Sequence, residues 1–398
     1  MKKILLIVID GLGDEPISQL KNQTPLEAAK TPNLDFLAKN GICGLVLPFQ
    51  FPEKPASDIS HLALFGYDPK KYYLGRGPYE ATGIGLKLLK GDVALRVNFA
   101  TVNENLKVID RRAGRIEKTQ NLIKTLSQIK INGIKFLIKK SYGHRAVLVL
   151  RGKNISWAVT DGDPQKVGER AKKIFPKNKA AKFTAKILNE FLEKAHQILK
   201  NHPFNKERER VGLFPANYLL FRGAGEIREI PKFNEKYGLR ACCIAGGALY
   251  KGIGKILGMD LIKVKGTNGL PNTNLKGKIQ AAKRALKNYD FVFLHIKAAD
   301  SLAEDGNFLG KKDFIEKLDK NLELILKLKD VLIVVTGDHS TCSILKRHCK
   351  IPIPILISGT ERDKIEKFSE KECKKGKLGK IKQIDLMKKI LEFKNLYE

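Results

Sequence analysis

The sequence predicts an α/β fold, a mostly parallel sheet flanked by helices, with a smaller α+β domain inserted into it. Three observations predict it. Aliphatic and β-branched runs at Lys3 to Ile9, Phe291 to Ile296 and Val331 to Val335 are each bounded by Gly or polar residues, as in strands buried on both faces of a parallel sheet. Helical patterns alternate with these runs. Between residues 90 and 231 the apolar runs shorten, become hairpin-like and are rich in Arg and Gly.

Taken in order, the first run ends at Asp10-Gly11. Thr24-Pro25-Leu26-Glu27 then supplies an N-cap, a proline at the first helical position and an acidic first turn. Short strands are expected at Ala94 to Ala100, Val108 to Arg111, Arg145 to Leu150 and Ser156 to Thr160. Lys166 to Leu199 reads as a long basic amphipathic region with a solvated outer face. The sheet resumes near Leu239 to Gly246, Lys311 to Leu328 has helical apolar spacing, and Val331 to Val335 leads through Thr336-Gly337 into Asp338-His339. The expected division is a discontinuous core, 1–89 with 232–398, around an insertion at 90–231.

In parallel sheets ligands bind at the carboxyl ends of the strands. Here three strands lead into Asp10, Asp300 and Asp338-His339. A single Asp after a strand is commonly the N-cap of the next helix; three beside a His converge on a site. Ser57 adds a second element, because it opens a short helical stretch where backbone N–H groups favour negative charge. A serine hydroxyl becomes a nucleophile only when its pKa is lowered, and a divalent metal does this.

Composition narrows the class. The 398 residues carry 74 Lys and Arg against 42 Asp and Glu, a net charge of +32 that draws anions such as phosphorylated substrates. The same field holds nucleic acid nonspecifically. Lys is spread evenly, however, with no Arg-rich arm, zinc finger or RNA-binding signature, so no specific nucleic-acid partner is expected. Six cysteines lack CxxC spacing, the amino-terminal apolar run is too short for a secretory signal, and no stretch approaches the ~20 apolar residues that span a bilayer. The expectation is a cytoplasmic, membrane-free chain with reduced thiols, its homo-oligomeric state left open.

Several motifs then carry a family resemblance. They are VIDGLGD at Val8 to Asp14, SDxxHL before FGYDP from Ser57, GRGPYEAxG at Gly75 to Gly83, NFATV at Asn98 to Val102 and DRRAGRI at Asp110 to Ile116. GHRAVLVL at Gly143 to Leu150, ANYLLFRGAG at Ala216 to Gly225, TGDHST at Thr336 to Thr341 and GxLGxI near the carboxyl end complete the set. In order and nearly end to end, the chain resembles the archaeal-type cofactor-independent phosphoglycerate mutases of the alkaline-phosphatase superfamily.

The resemblance implies an alkaline-phosphatase-like core and interconversion of 3- and 2-phosphoglycerate in glycolysis and gluconeogenesis. Ser57 would be the nucleophile and pass through a phosphoserine, with two divalent cations and no 2,3-bisphosphoglycerate. It implies one metal at Asp10, Ser57, Asp338 and His339, and a second at Asp300, Glu304 and His348. Glu304 stands where the family has His, which tilts the expected metal toward Mn or Mg. Cys349 and Ile351 replace the Ser and Asp that follow the family's last ligating His, Gln165 follows Asp163-Pro164 in place of His, and Ala56 replaces a glycine. Arg112, Arg115, Arg145, Arg222 and Lys251 are the expected anion binders, with Asp163 near the reacting hydroxyl. The glycines flanking Arg222 are expected to let backbone approach a ligand. The competing readings are a phosphomonoesterase or other phosphomutase on the same scaffold, and a catalytically degenerate binding protein.

Overall fold

The computed structural model describes residues 2–50 and 55–395. The chain forms two compact units, Met1–Tyr73 with Ile230–Glu398, and Leu74–Glu229. It enters on β1 (Lys3–Ile9) and β2 (Gly41–Leu47). The insertion carries β3 (Val93–Val102), β4 (Val108–Asp110), β5 (Lys135–Lys140), β6 (Arg145–Arg151) and β7 (Tyr218–Gly225). The chain then returns with β8 (Ala241–Ile244), β9 (Asp260–Leu261), β10 (Phe291–Ile296), β11 (Val331–Thr336), β12 (Ser340–Cys342), β13 (Arg347–Cys349), β14 (Ile353–Ser358) and β15 (Gly379–Lys382).

The core unit is an eight-stranded sheet in the order β15-β2-β14-β11-β1-β10-β8-β9, in which only β14 runs antiparallel to its neighbours. Its centre is built by the three aliphatic runs. Ile4 to Ile9, Val292 to Leu294 and Leu332 to Val335 are almost entirely buried, and each such side chain contributes roughly 1.5–3 kcal/mol relative to exposure. Register positions the site: Val8 pairs with both His295 and Thr336. The three strands therefore end level, and Asp10, Lys297 and Gly337-Asp338 emerge along one edge. The helix start at Thr24 forms as the sequence predicts, and the structure adds a capping box, Thr24 accepting from Glu27 N–H and Glu27 accepting from Thr24 N–H.

The inserted unit is a five-stranded antiparallel sheet, with β6, β7 and β4 pairing β3 and β5 pairing β6. The helix Lys182–Asn201 covers it, with Phe191 packed 4.6 Å from the Phe136 ring and 6.1 Å from that of Phe221.

Five expectations are corrected. Residues 74–89, expected in the core, belong to the inserted unit. Ala81 is buried against Ala94, Val147 and Val149, with Ile84, Leu86 and Leu88 beside it, so the helix Arg76–Gly83 and its tail complete the β3–β6 surface. The other boundary falls at 229/230 rather than 231/232. Ser156–Thr160 is irregular, its one ladder contact a bridge from Val159 to Pro176, and the helix expected from Lys166 begins only at Lys182. The thiols are not all reduced: Cys342 and Cys349 form a disulfide, with Cα atoms 6.0 Å apart, while the free Cys43, Cys242, Cys243 and Cys373 are buried. Sequence spacing could not show the pair, because it is brought together by the antiparallel β12–β13 hairpin. Among the described residues, no helix is long and apolar enough to cross a membrane.

Candidate active site

In the core unit the strand ends assemble two overlapping sets of donors. Asp10, Asp338 and His339 form one, Asp300, His339 and His348 the other, with donor atoms within each set lying within 4.8 Å of one another. Ser57 is the first residue of the helix Ser57–Leu64, and its Oγ lies 3.1 Å from His339 Nε2. Gly11 lets the loop after β1 press on Asp300, since a Cβ there would lie 2.7 Å from the Asp300 Cβ, and φ is +67°. The Gly11 N–H also donates to Asp338 Oδ1 at 3.1 Å.

The other Asp338 oxygen shows what the site can take. Oδ2 is fully buried and makes no hydrogen bond; its neighbours are His339 Nε2 at 3.3 Å and His61 Nδ1 at 3.5 Å. Burial, then the nearby Asp10, pushes the Asp338 carboxyl well above the ordinary range. An orphaned buried carboxylate beside a second one calls for positive charge. Carboxylate oxygens, an imidazole and a hydroxyl are a donor set that suits a divalent cation.

Part of that charge is supplied by Lys297, which no sequence motif singles out. Its Nζ sits 3.0 Å from Asp10 Oδ1 and 2.5 Å from Asp300 Oδ2, with the side chain 17% exposed. Burial disfavours the ammonium, but the two carboxylates outweigh it and hold the Lys297 pKa well above normal. Reciprocally, burial would raise Asp10 and Asp300, and Lys297 holds both below the usual carboxylate range. A signal existed: Lys297 is the first residue past β10, level with Asp10.

Hydrogen bonds fix the tautomer of His339. Asp300 is ionised and only accepts, so the Thr341 hydroxyl donates to its Oδ1 at 2.7 Å. Thr341 must then accept from His339 Nδ1–H at 3.2 Å, which leaves Nε2 with its lone pair toward Ser57. Two more histidines stand behind the donors. His295 donates from Nε2 to Asp10 Oδ2 at 3.0 Å, and His61 donates from Nδ1 to the Ser57 carbonyl at 2.6 Å. Burial lowers them to about 3 and about 4, so both are neutral. Tyr250 stacks on His295 with ring centroids 3.4 Å apart.

His348 donates from Nδ1 to the Pro55 carbonyl at 2.8 Å, leaving Nε2 facing Asp300 Oδ1 at 3.3 Å, and its ring stacks on His339 at 3.7 Å. Burial would lower its pKa, but the hydrogen bond to Asp300 and that carboxylate's charge raise it to about 9. Glu304 lies at the rim, 39% exposed and 3.7 Å from His348 Nε2, outside the three-residue set. Lys251 is half-buried on the helix Ala248–Ile256, burial lowers its pKa, and it belongs to neither donor set.

The inserted unit holds a second concentration of charge. Arg96 pairs with Arg222 across β3 and β7, and Arg145 pairs with Asn98 across β3 and β6, which puts all four on one face. Glu80 is the carboxylate among them, 2.8 Å from Arg76 Nε and 3.6 Å from Arg96 Nη1. The Nε atoms of Arg96, Arg145 and Arg222 are buried without partners, an unmet demand for acceptors. The field is strong: burial and then Arg145, Arg96, Arg112 and Arg111 lower His144 to about 2. Arg112 and the exposed Arg115 lie on the turn after β4, where the Arg112 N–H donates to Asp110. Asp163 is buried and paired with Arg111 at 2.7 Å, and Arg222 donates to Gln165 at 2.9 Å. The glycines flanking Arg222 serve packing: a Cβ on Gly223 would lie 2.6 Å from the Arg76 Cβ, and one on Gly225 1.7 Å from the Leu74 carbonyl oxygen.

Glu80 makes the stability of this cluster testable. Burial would raise its carboxyl, yet Arg96, Arg76 and Arg145 hold it at about 2, against an ordinary value of 4.5. A depressed carboxyl stabilises above its unfolded pKa, and the benefit fades as pH falls from 4.5 toward 2. Glu80→Gln should therefore cost about 3 kcal/mol at pH 7. Urea unfolding of both proteins checks this; a gap that does not narrow below pH 4.5 would count against the pairing.

A model of the Metalloenzyme superfamily matches residues 2–393. The chain is 48% identical to 2,3-bisphosphoglycerate-independent phosphoglycerate mutase 1 of Archaeoglobus fulgidus, covering 99% of this chain and 98% of that one. It is 46% identical to the enzyme of the same name from Methanocaldococcus jannaschii, over 98% and 97%. Among solved structures, a Pyrococcus horikoshii protein superposes with a TM-score of 0.84 at 36% identity, over 100% of this chain and 98% of the other. A cofactor-independent phosphoglycerate mutase from Thermoplasma acidophilum gives 0.67 at 38% identity, over 99% and 100%.

Proposed function

The chain belongs to the Metalloenzyme superfamily and, within it, to the 2,3-bisphosphoglycerate-independent phosphoglycerate mutases, isomerases that interconvert 3- and 2-phosphoglycerate, and we propose that it does so through a phosphoserine at Ser57. We place two divalent cations, Mn²⁺ or Mg²⁺, on Asp10, Ser57, Asp338 and His339, and on Asp300 and His348 with Glu304 at the rim. His339 belongs to both sets. Bound there, the cations supply Lewis acidity at the serine hydroxyl and at the oxygens that gain charge.

The chain's own residues do the rest. Ser57 gives up its proton to solvent as Oγ attacks phosphorus, the bond from phosphorus to the substrate oxygen breaks, and the glycerate oxygen so released takes a proton from solvent. In the return step the other hydroxyl attacks the phosphoserine, gives up its proton and frees Ser57. Ser57 heads its helix, where first-turn N–H groups favour the charge that develops. His339, its tautomer set by Thr341 and Asp300, keeps the Nε2 lone pair that would ligate a cation beside the Ser57 hydroxyl. The Lys297 ammonium offsets charge between Asp10 and Asp300. We assign substrate binding to the inserted unit: Arg112, Arg115, Arg145 and Arg222, with Arg76 and Arg96 added from the Glu80 cluster, take the carboxylate and phosphate. Asp163 and Lys251 keep supporting roles in this reading. We place the enzyme in the cytoplasm, the compartment of its substrate.

The observation that carries the mechanism is Ser57 Oγ at 3.1 Å from His339 Nε2, a nitrogen whose lone pair is free for a cation, beside the unpartnered Asp338 oxygen. Acid quenching during turnover of phosphate-labelled 3-phosphoglycerate tests it. Label is expected on the peptide containing Ser57; label on another residue, or none under full turnover, overturns the assignment.

A further inference from the structure

We propose that the Cys342–Cys349 disulfide is a positioning device for His348, which makes the affinity of the second cation site depend on the redox state of that bond. The inference rests on the two-cation reading above and adds to it a control by thiols.

The two donors that flank Asp300 come from one hairpin. His339 lies just ahead of β12, Thr341 lies on β12, and His348 lies on β13 directly opposite Thr341. The ladder has only three residue pairs, Ser340–Cys349, Thr341–His348 and Cys342–Arg347, and forms a two-stranded sheet of its own. Ribbons of that size hold their geometry poorly alone.

The two arms are anchored unequally. β12 and the residue after it are tied to the core: buried Lys311 donates to the Thr341 carbonyl at 3.1 Å, and Asp14 accepts from the Ser343 N–H at 2.9 Å. β13 has fewer ties. His348 reaches the Pro55 carbonyl at 2.8 Å, and Ser340 Oγ donates to the Ile351 carbonyl at 2.9 Å just beyond the strand. The covalent link from buried Cys342 to Cys349, the residue next to His348, passes the rigidity of the first arm to the second. It closes the exposed turn Ile344 to Arg347 and limits how far the His348 Nε2 strays from Asp300. Ligands held by a disordered strand bind weakly, because the ordering cost falls on the binding step.

The bond is also reachable. Cys342 is fully buried, whereas Cys349 is half-buried on the strand whose neighbours Arg347 and Lys350 face solvent. A dithiol reductant attacks the Cys349 sulfur and forms a mixed disulfide there as Cys342 leaves as a thiolate. Its second thiol then displaces Cys349, so the reductant ends as a disulfide and the protein gains two electrons and two protons.

Titration of Mn²⁺ into the metal-free full chain, before and after treatment with a dithiol and its removal, tests the proposal. Thiol counts in denaturant establish the two states, four before and six after. The oxidised chain is expected to bind two cations. The reduced chain should bind the first unchanged and the second roughly 10–100-fold more weakly, with full recovery on reoxidation. Hydrogen exchange of residues 343–350 in the metal-free chain should speed up on reduction, a readout independent of activity. Cys349→Ser should behave as the reduced chain and ignore the dithiol. Equal second-site affinity and equal exchange in both states overturn the proposal alone. Six free thiols in the untreated chain overturn it as well. One cation bound by the oxidised chain overturns the two-cation reading on which it rests.

Discussion

Ser57→Ala is expected to lower mutase turnover by roughly 10⁴-fold or more while leaving the fold intact. The hydroxyl is the atom that accepts and returns the phosphoryl group, and no neighbouring side chain replaces it: His339, at 3.1 Å, is a bare acceptor rather than a second hydroxyl. The structural cost is small because Ser57 shapes its surroundings mostly through its backbone. Its carbonyl, which accepts from His61 at 2.6 Å, is unchanged by the substitution. What is lost is one neutral hydrogen bond, about 0.5–1.5 kcal/mol. Turnover of 3-phosphoglycerate with Mn²⁺ and without 2,3-bisphosphoglycerate, beside circular dichroism, separates the two effects. Activity within tenfold of the parent would remove Ser57 from the nucleophile's place.

Lys297→Met should have the largest effect on stability in the absence of metal. Its ammonium is the positive charge between Asp10 and Asp300, both of which are buried. Methionine keeps an unbranched stem but strands the two carboxylates, and breaking such a pair costs about 3–5 kcal/mol. The loss then shrinks with cation present. The emptied, more negative site attracts Mn²⁺ more strongly, so saturating metal should restore much of the loss by linkage. Turnover should stay low, by roughly 10²–10³-fold, because the charge that balanced the reacting oxygens is gone. Urea unfolding in chelator and in Mn²⁺ measures this. Equal stability of variant and parent in chelator would mean that Lys297 does not neutralise the carboxylates.

Much of the core was legible because its signals are local. The runs that became β1, β10 and β11 are continuous stretches of aliphatic residues, and such a stretch reports burial on both faces without help from the rest of the chain. The helix start at Thr24 is likewise contained within four residues. β5 was missed because KFLIKK alternates weakly and ends in lysines. β7 was read as a glycine-rich motif rather than as a strand. The helix Lys182–Asn201 was overextended because the basic composition that precedes it continues the charge pattern without continuing its apolar face.

By itself, then, the sequence determined the strand ends: that Asp10, Asp300 and Asp338-His339 follow apolar runs, and that Ser57 opens a helix. Tertiary structure alone decided how these residues meet. It placed Lys297 between Asp10 and Asp300, turned His339 through Thr341 so that its Nε2 faces Ser57, and gathered Arg76, Arg96, Arg145 and Arg222 around Glu80. It also joined Cys342 to Cys349, where spacing suggested free thiols. The reason is the range of the forces. Hydrophobic periodicity is set by neighbours a few positions away, whereas the charge pairing of Asp10 with Lys297 depends on register between segments hundreds of residues apart, and the Cys342–Cys349 link and the His339 tautomer depend on side-chain geometry that composition does not encode.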